Sequence, residues 1–162
     1  MGRSGVTMLA SLEQSAFSTW LLSSNSVWAY PAVLTLHTFG MMVLVGAGVM
    51  LDLRLLGFGR GIPLDSLKAL FRIMWSALIL NAITGSMLFV ADATKRGTST
   101  IFLVKMLLVA GGIVTIVLIK REVYGKHPSP VAVSGTARLL AIASLLVWSA
   151  AISAGRLLAY VA

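Results

Sequence analysis

The chain has no cysteine. Disulfides, zinc–thiolate sites, iron–sulfur clusters and thiol catalysis are excluded on that ground. Acidic residues are scarce as well: five Asp and Glu stand against thirteen Lys and Arg, for a formal net charge of +8. Charged residues of both signs make up 11% of the chain, less than half of the ~25% typical of a soluble domain. So few charges cannot cover a water-facing surface. Histidine occurs only twice, so imidazoles clustered at metal spacing are excluded. No apolar run holds paired carboxylates, which argues against proton-coupled transport. There is no nucleophile–base pair in register and no glycine-rich loop with a phosphate-binding lysine.

What remains is oil. Hydrophobic residues are 58% of the 162, and lipid is the solvent such a composition tolerates. The length fits one compact domain. The basic excess lies in short loops between apolar runs, with few aromatics among it. That pattern marks topology and lipid-headgroup contact and argues against a nucleic-acid partner. After Arg3 the sequence is mixed, with Glu13 and several serines, and has no short apolar core with a cleavage site. The first long apolar run is therefore expected to act as an uncleaved targeting segment.

The expected fold is all-α: an antiparallel four-helix transmembrane bundle preceded by an N-terminal interfacial helix. Residues 1–24 form the N-terminal segment and 25–162 the transmembrane domain. In residues 9–22, Leu9, Leu12, Ala16, Phe17, Trp20 and Leu21 share a helical face, with Glu13 and Gln14 off it. That amphipathic run suits a helix lying on the bilayer. Spans are expected over about 28–51, 70–92, 100–119 and 138–161, each near the ~20 residues that a crossing needs. Trp28, Tyr30 and Pro31 suit the start of the first span. Asp52 and Arg54 in LDLRLLG are read as returning the chain to water. A tight turn is expected at 93–98, and a loop with Pro128 and Pro130 near 121–134. Short loops impose up-down-up-down neighbours. Arg54, Arg60, Lys68, Arg72, Lys120, Arg121, Lys126 and Arg138 mark the first and third loops as cytoplasmic, so both termini are expected in the periplasm of a bacterial inner membrane. Small residues recur in the spans, among them Gly40, Gly46, Gly48, Gly85, Gly111, Gly112 and Gly155, and suit close helix packing.

An ionisable group inside a span is costly and usually faces the bundle interior. Here the set is His37, Lys105 and Arg156, with Asp92 at a helix end. Antiparallel order puts them on one side. At ~1.5 Å per residue, His37 lies roughly 13 Å below Trp28 and Arg156 roughly 6 Å below Tyr160. Met87 and Met106 lie at a similar depth, Met41 one turn beyond His37, and Asn81, Thr84 and Trp148 toward the middle. This set suits a b-type haem: imidazole from His37 as metal ligand, a methionine thioether such as Met87 or Met106 as the second, and Lys105 and Arg156 for the propionates. Each residue also has a plainer reading. A lone histidine can simply hydrogen-bond a neighbouring helix, the cations can snorkel or pair with Asp92, and the methionines can be packing. The second histidine, His127, lies in a loop.

The stretches YPAVLTLHTFGMMVLVG, DLRLLG, TGSMLFVADA and SLLVWSAAISAGRLLAY, in that order, resemble a family of small bacterial inner-membrane proteins of unknown function. The likeness covers most of residues 25–161. It implies the four-span fold, makes His37 and Arg156 family features, and implies no activity. A more distant likeness is to the membrane domains of copper-resistance D proteins and four-helix cytochromes b, whose additional span histidines this chain lacks. Three functions follow as expectations. The first is an electron-transfer subunit carrying haem b, or another tetrapyrrole such as a chlorophyll-type pigment, on His37. The second is a non-catalytic accessory subunit that assembles with other membrane proteins or with itself. The third is a small transporter, disfavoured because the cytoplasmic halves of the spans offer little polar lining beyond Ser76 and Asn81.

Overall fold

A computed structural model describes residues 3–23, 29–125 and 133–161. Lys126, His127, Pro128, Pro130 and Trp28 lie outside the described residues. The elements are α1 (Arg3–Glu13), α2 (Ala16–Ser23), α3 (Ala29–Leu56), a 3-10 turn (Leu64–Leu67), α4 (Lys68–Val90), α5 (Ala93–Thr98), α6 (Thr100–Tyr124) and α7 (Gly135–Val161). Four segments are long and apolar enough to cross a membrane: Ala29–Leu56, Leu64–Val90, Thr100–Tyr124 and Gly135–Leu158. The chain is thus a multi-pass, all-helical membrane protein. At the end carrying the first and third loops, the helices run past the expected span limits.

Local chemistry sets where these helices stop and start. After α3, Gly57 takes φ 107°, which only glycine adopts freely. Its N–H reaches the Arg54 carbonyl, and the Phe58 N–H reaches that of Leu53, the paired bonds of a Schellman stop. Arg54 then ties the loop down, donating from Nε to the Ile62 carbonyl at 2.8 Å and from Nη2 to that of Arg60 at 3.1 Å. Ser99 caps α6 by accepting from the Phe102 N–H. Ser134 caps α7 at the Ala137 N–H and also donates to Glu122, joining the ends of α6 and α7. Such caps satisfy donors that the helix itself leaves unpaired.

The four spans pack as two hairpins, α3 on α4 and α6 on α7, joined by α3 against α7. The seam between α4 and α6 is looser. Aromatic rings bridge it at both ends: Phe89 stacks on Phe102 at 5.2 Å, and Phe71 meets Tyr124 edge-on at 5.6 Å. The core holds Leu44, Leu51, Leu55, Met74, Ile119, Ala141 and Trp148. Lipid-facing positions carry large apolar side chains such as Met42, Ile79, Leu107 and Leu146.

Several span glycines receive a partner helix's side chain. A methyl at Gly112 would lie 2.7 Å from the Trp148 indole, and one at Gly40 would lie 2.8 Å from the Asn81 amide. Gly46, by contrast, faces open space.

Two expectations change. The amphipathic stretch 9–22 is two helices, broken at Gln14–Ser15, with Ser15 Oγ accepting from the Ser18 N–H. Met8, Phe17, Trp20 and Leu22 remain exposed and available to a bilayer, while Ser18 and Leu21 are buried. The expected turn at 93–98 is a helix, α5, onto which α1 packs. Glu13 accepts a hydrogen bond from the Thr94 N–H at 3.0 Å, and Leu9 rests on Gly97. A carboxylate from one helix thus caps another, as the positive end of a helix favours.

The bond from Thr94 holds the Glu13 carboxyl below its ordinary value of 4.5. A lowered folded-state value gives docking that is intact above the ordinary value and lost as pH falls through the lowered one. Hydrogen-exchange protection of the Thr94 amide is therefore expected to hold steady from neutral pH down to about 4.5 and to fall only below it. Glu13→Ala should lose that protection at neutral pH.

Candidate functional site

His37 projects from α3 onto α4, where Gly85 leaves room for the ring: a methyl there would sit 3.2 Å from Cε1. Nδ1 lies 2.9 Å from the Thr84 hydroxyl. That hydroxyl is 2.7 Å from the Leu80 carbonyl, to which it donates its proton. Having one proton, it meets His37 as an acceptor, so Nδ1 carries the hydrogen. Nε2 is thereby left with its lone pair. A fixed tautomer of this kind is how proteins orient a ligating histidine.

One turn deeper, Asn81 is buried against Gly40 with neither its amide nitrogen nor its oxygen hydrogen-bonded. An unpaired buried polar group costs about 1–3 kcal/mol. Its amide therefore stands ready for a polar partner. Lys105, on α6, lies along Gly155 of α7, its Nζ 3.7 Å from where a methyl would stand. Its charge and that of Arg96 act on the imidazole. Arg96 sits on α5 and pairs with Asp92 at 3.5 Å. The arrangement is one oriented imidazole, one unpaired amide and two cations, of which Arg96 pairs with Asp92 and Lys105 makes no ion pair among the described residues; Lys105 favours an anionic group.

Of the residues singled out from sequence, His37 and Lys105 come within electrostatic reach of each other. Arg156 is exposed on α7, where Nη2 donates to the Tyr160 hydroxyl at 3.0 Å and the guanidinium lies over the ring. Met106 is 39% exposed, on the outside of α6. Met87 packs on the cluster of Leu21, Val33, Leu88 and Ala91 beside Tyr30. Met41 packs on the main core. Arg96, which lies in the stretch expected as a tight turn, joins the site from helix α5. Among the described residues, no group of three His, Asp or Glu could hold a metal ion.

Asp52 is the plainest correction. It does not return the chain to water: it is 2% exposed and hydrogen-bonded to Ser144 of α7, itself buried. Its spacing from Leu44, Gly48, Leu51 and Leu55 puts it on the buried stripe of α3, a stripe that only the packing reveals, because the helix is apolar nearly all round.

The chain belongs to a family of unknown function (DUF6644), whose model matches residues 23–161. No curated protein and no solved structure matches it, copper-resistance D proteins and four-helix cytochromes b included.

Thr84→Val keeps the shape and removes the acceptor. It is expected to cost about 1 kcal/mol of stability, the worth of one net hydrogen bond. Nitrogen-15 NMR of His37 should show a single Nδ1–H tautomer in the wild type and a mixture in Thr84→Val.

Proposed function

We propose that this protein is a membrane subunit that binds an acidic tetrapyrrole of the b-haem type at His37 and takes part in electron transfer. The observation carrying this reading is the His37 imidazole, held through Nδ1 by Thr84 with Nε2 free, beside the cations of Lys105 and Arg96. The donor chemistry fits such a group at one axial position and at its carboxylates. His37 would supply the metal-ligating nitrogen. Lys105 would neutralise a carboxylate, with Arg96 as its partner in place of the sequence-favoured Arg156. A bound haem would supply one-electron chemistry at a potential set by its axial ligands and surroundings. A methionine as second ligand has less support, since Met106 faces outward and Met87 packs on an apolar cluster.

In this reading both termini face the periplasm of a bacterial inner membrane. Arg54, Arg60, Arg72, Lys120, Arg121 and Arg138 gather at one membrane face, against Lys95 and Arg96 at the other. The looser α4–α6 seam favours a second reading, an accessory subunit that completes its packing against another membrane protein.

Protein purified in mild detergent after haem-replete expression is expected to give a b-type reduced-minus-oxidised spectrum that His37→Ala abolishes. Lys105→Met should retain the pigment about tenfold or more less tightly, the worth of one charge-assisted hydrogen bond. A colourless wild type ends the haem assignment. A larger native mass with no pigment would favour the accessory subunit.

A further inference from the structure

The opposite membrane face carries a second cationic feature, far from His37. Between the start of α4 and the end of α6 lies a cavity of about 280 Å³ lined by Lys68, Phe71, Arg72, Trp75, Lys120 and Tyr124. It opens where the α4–α6 seam is loose. Lys68 is already engaged, paired with Asp65 at 2.8 Å and set 5.3 Å over the Tyr124 ring. The Tyr124 hydroxyl donates to the Leu64 carbonyl at 2.6 Å, fixing that wall. Arg72 and Lys120 are exposed and make no ion pair among the described residues. The nearby acid on α6, Glu122, accepts from Ser134. Two unneutralised cations therefore flank an aromatic-walled opening at headgroup level.

Arg72 also lines a second, largely apolar groove of about 550 Å³, with Ile73, Ser76, Ala77 and Leu80 of α4 and Phe39, Gly40 and Val43 of α3. It extends along the outer surface of α3 and α4 toward the level of Gly40. A charged opening and an apolar groove that share one arginine match an amphipathic anion: a phosphate head with a hydrocarbon tail.

We propose that this face binds an anionic phospholipid, its phosphate between Arg72 and Lys120 and an acyl chain in the α3–α4 groove. Basic pockets between transmembrane helices bind acidic headgroups in this way. The aromatic rings of Trp75 and Tyr124 suit the boundary between headgroup and chain.

Native mass spectrometry of the full-length protein in detergent tests this with three probes: phosphatidylglycerol, phosphatidylcholine and inorganic phosphate. The wild type should retain phosphatidylglycerol in preference to phosphatidylcholine, and excess inorganic phosphate should not displace it. Near-surface attraction gives about fivefold per cation, so Arg72→Gln with Lys120→Gln should lose roughly 25-fold in affinity. The swap Arg72→Lys with Lys120→Arg should keep most of the preference, and Lys95→Gln, at the other membrane face, should change nothing. Circular dichroism and thermal unfolding confirm that each variant folds. Equal retention of the two lipids, full retention by the double glutamine variant, or an equal loss from Lys95→Gln would overturn the site. Displacement by inorganic phosphate would reassign it to a free anion and overturn the lipid.

Discussion

Inside a bilayer a polar side chain must find its partner within the protein, because the hydrocarbon supplies none. This chain meets that constraint with very few groups. Thr115 returns its hydroxyl to the Gly112 carbonyl. Asp52 and Ser144 bond one another between α3 and α7. His37 meets Thr84, whose proton is already held by Leu80. Among the described residues of the four spans, Asn81 is the exception, buried with both amide atoms unbonded. That exception stands one turn from the oriented imidazole. The unmet polar demand among the described spans is therefore concentrated in one small region, beside His37.

Glycine makes the region possible. Gly85 admits the imidazole, Gly40 admits the Asn81 amide, and Gly155 admits the Lys105 stem. In soluble proteins such positions often serve turns; here they are recesses in helix faces that let a polar side chain lie flat between two spans. The same device with Gly112 and Trp148 fixes the α6–α7 hairpin. α1 completes the end of the bundle near the site, since its Glu13 caps the helix that carries Arg96. The protein thus has two differently built faces. One is closed by a docked helix above the imidazole; the other has aromatic rings and unpaired cations around an open seam.

The four spans and their antiparallel order were legible because length and hydropathy decide them. Residue spacing also converts directly to distance along a helix. Azimuth was not legible. The spans are apolar nearly all round, so no periodic signal distinguishes interior from lipid. Hence the sequence offers no means of telling that Arg156 and Met106 face outward while Lys105 is partly buried. α5 escaped notice because ATKRGT has no apolar period, and its cap comes from a residue eighty-one positions earlier. Asp52 was misread from its place at the end of an apolar run; it shares the buried stripe of Leu44, Leu51 and Leu55, which the packing alone defines.

The central claim is that His37 presents a free Nε2 inside the bundle, between an oriented hydrogen bond and inward-turned cations, to a ligand that is not protein. The direct measurement is an experimental map of the protein isolated from its own membranes into lipid nanodiscs. The account predicts non-protein density within bonding distance of Nε2, with Lys105 turned toward it. An imidazole swung out to lipid, or packed on apolar side chains with Lys105 pointing away, would contradict it.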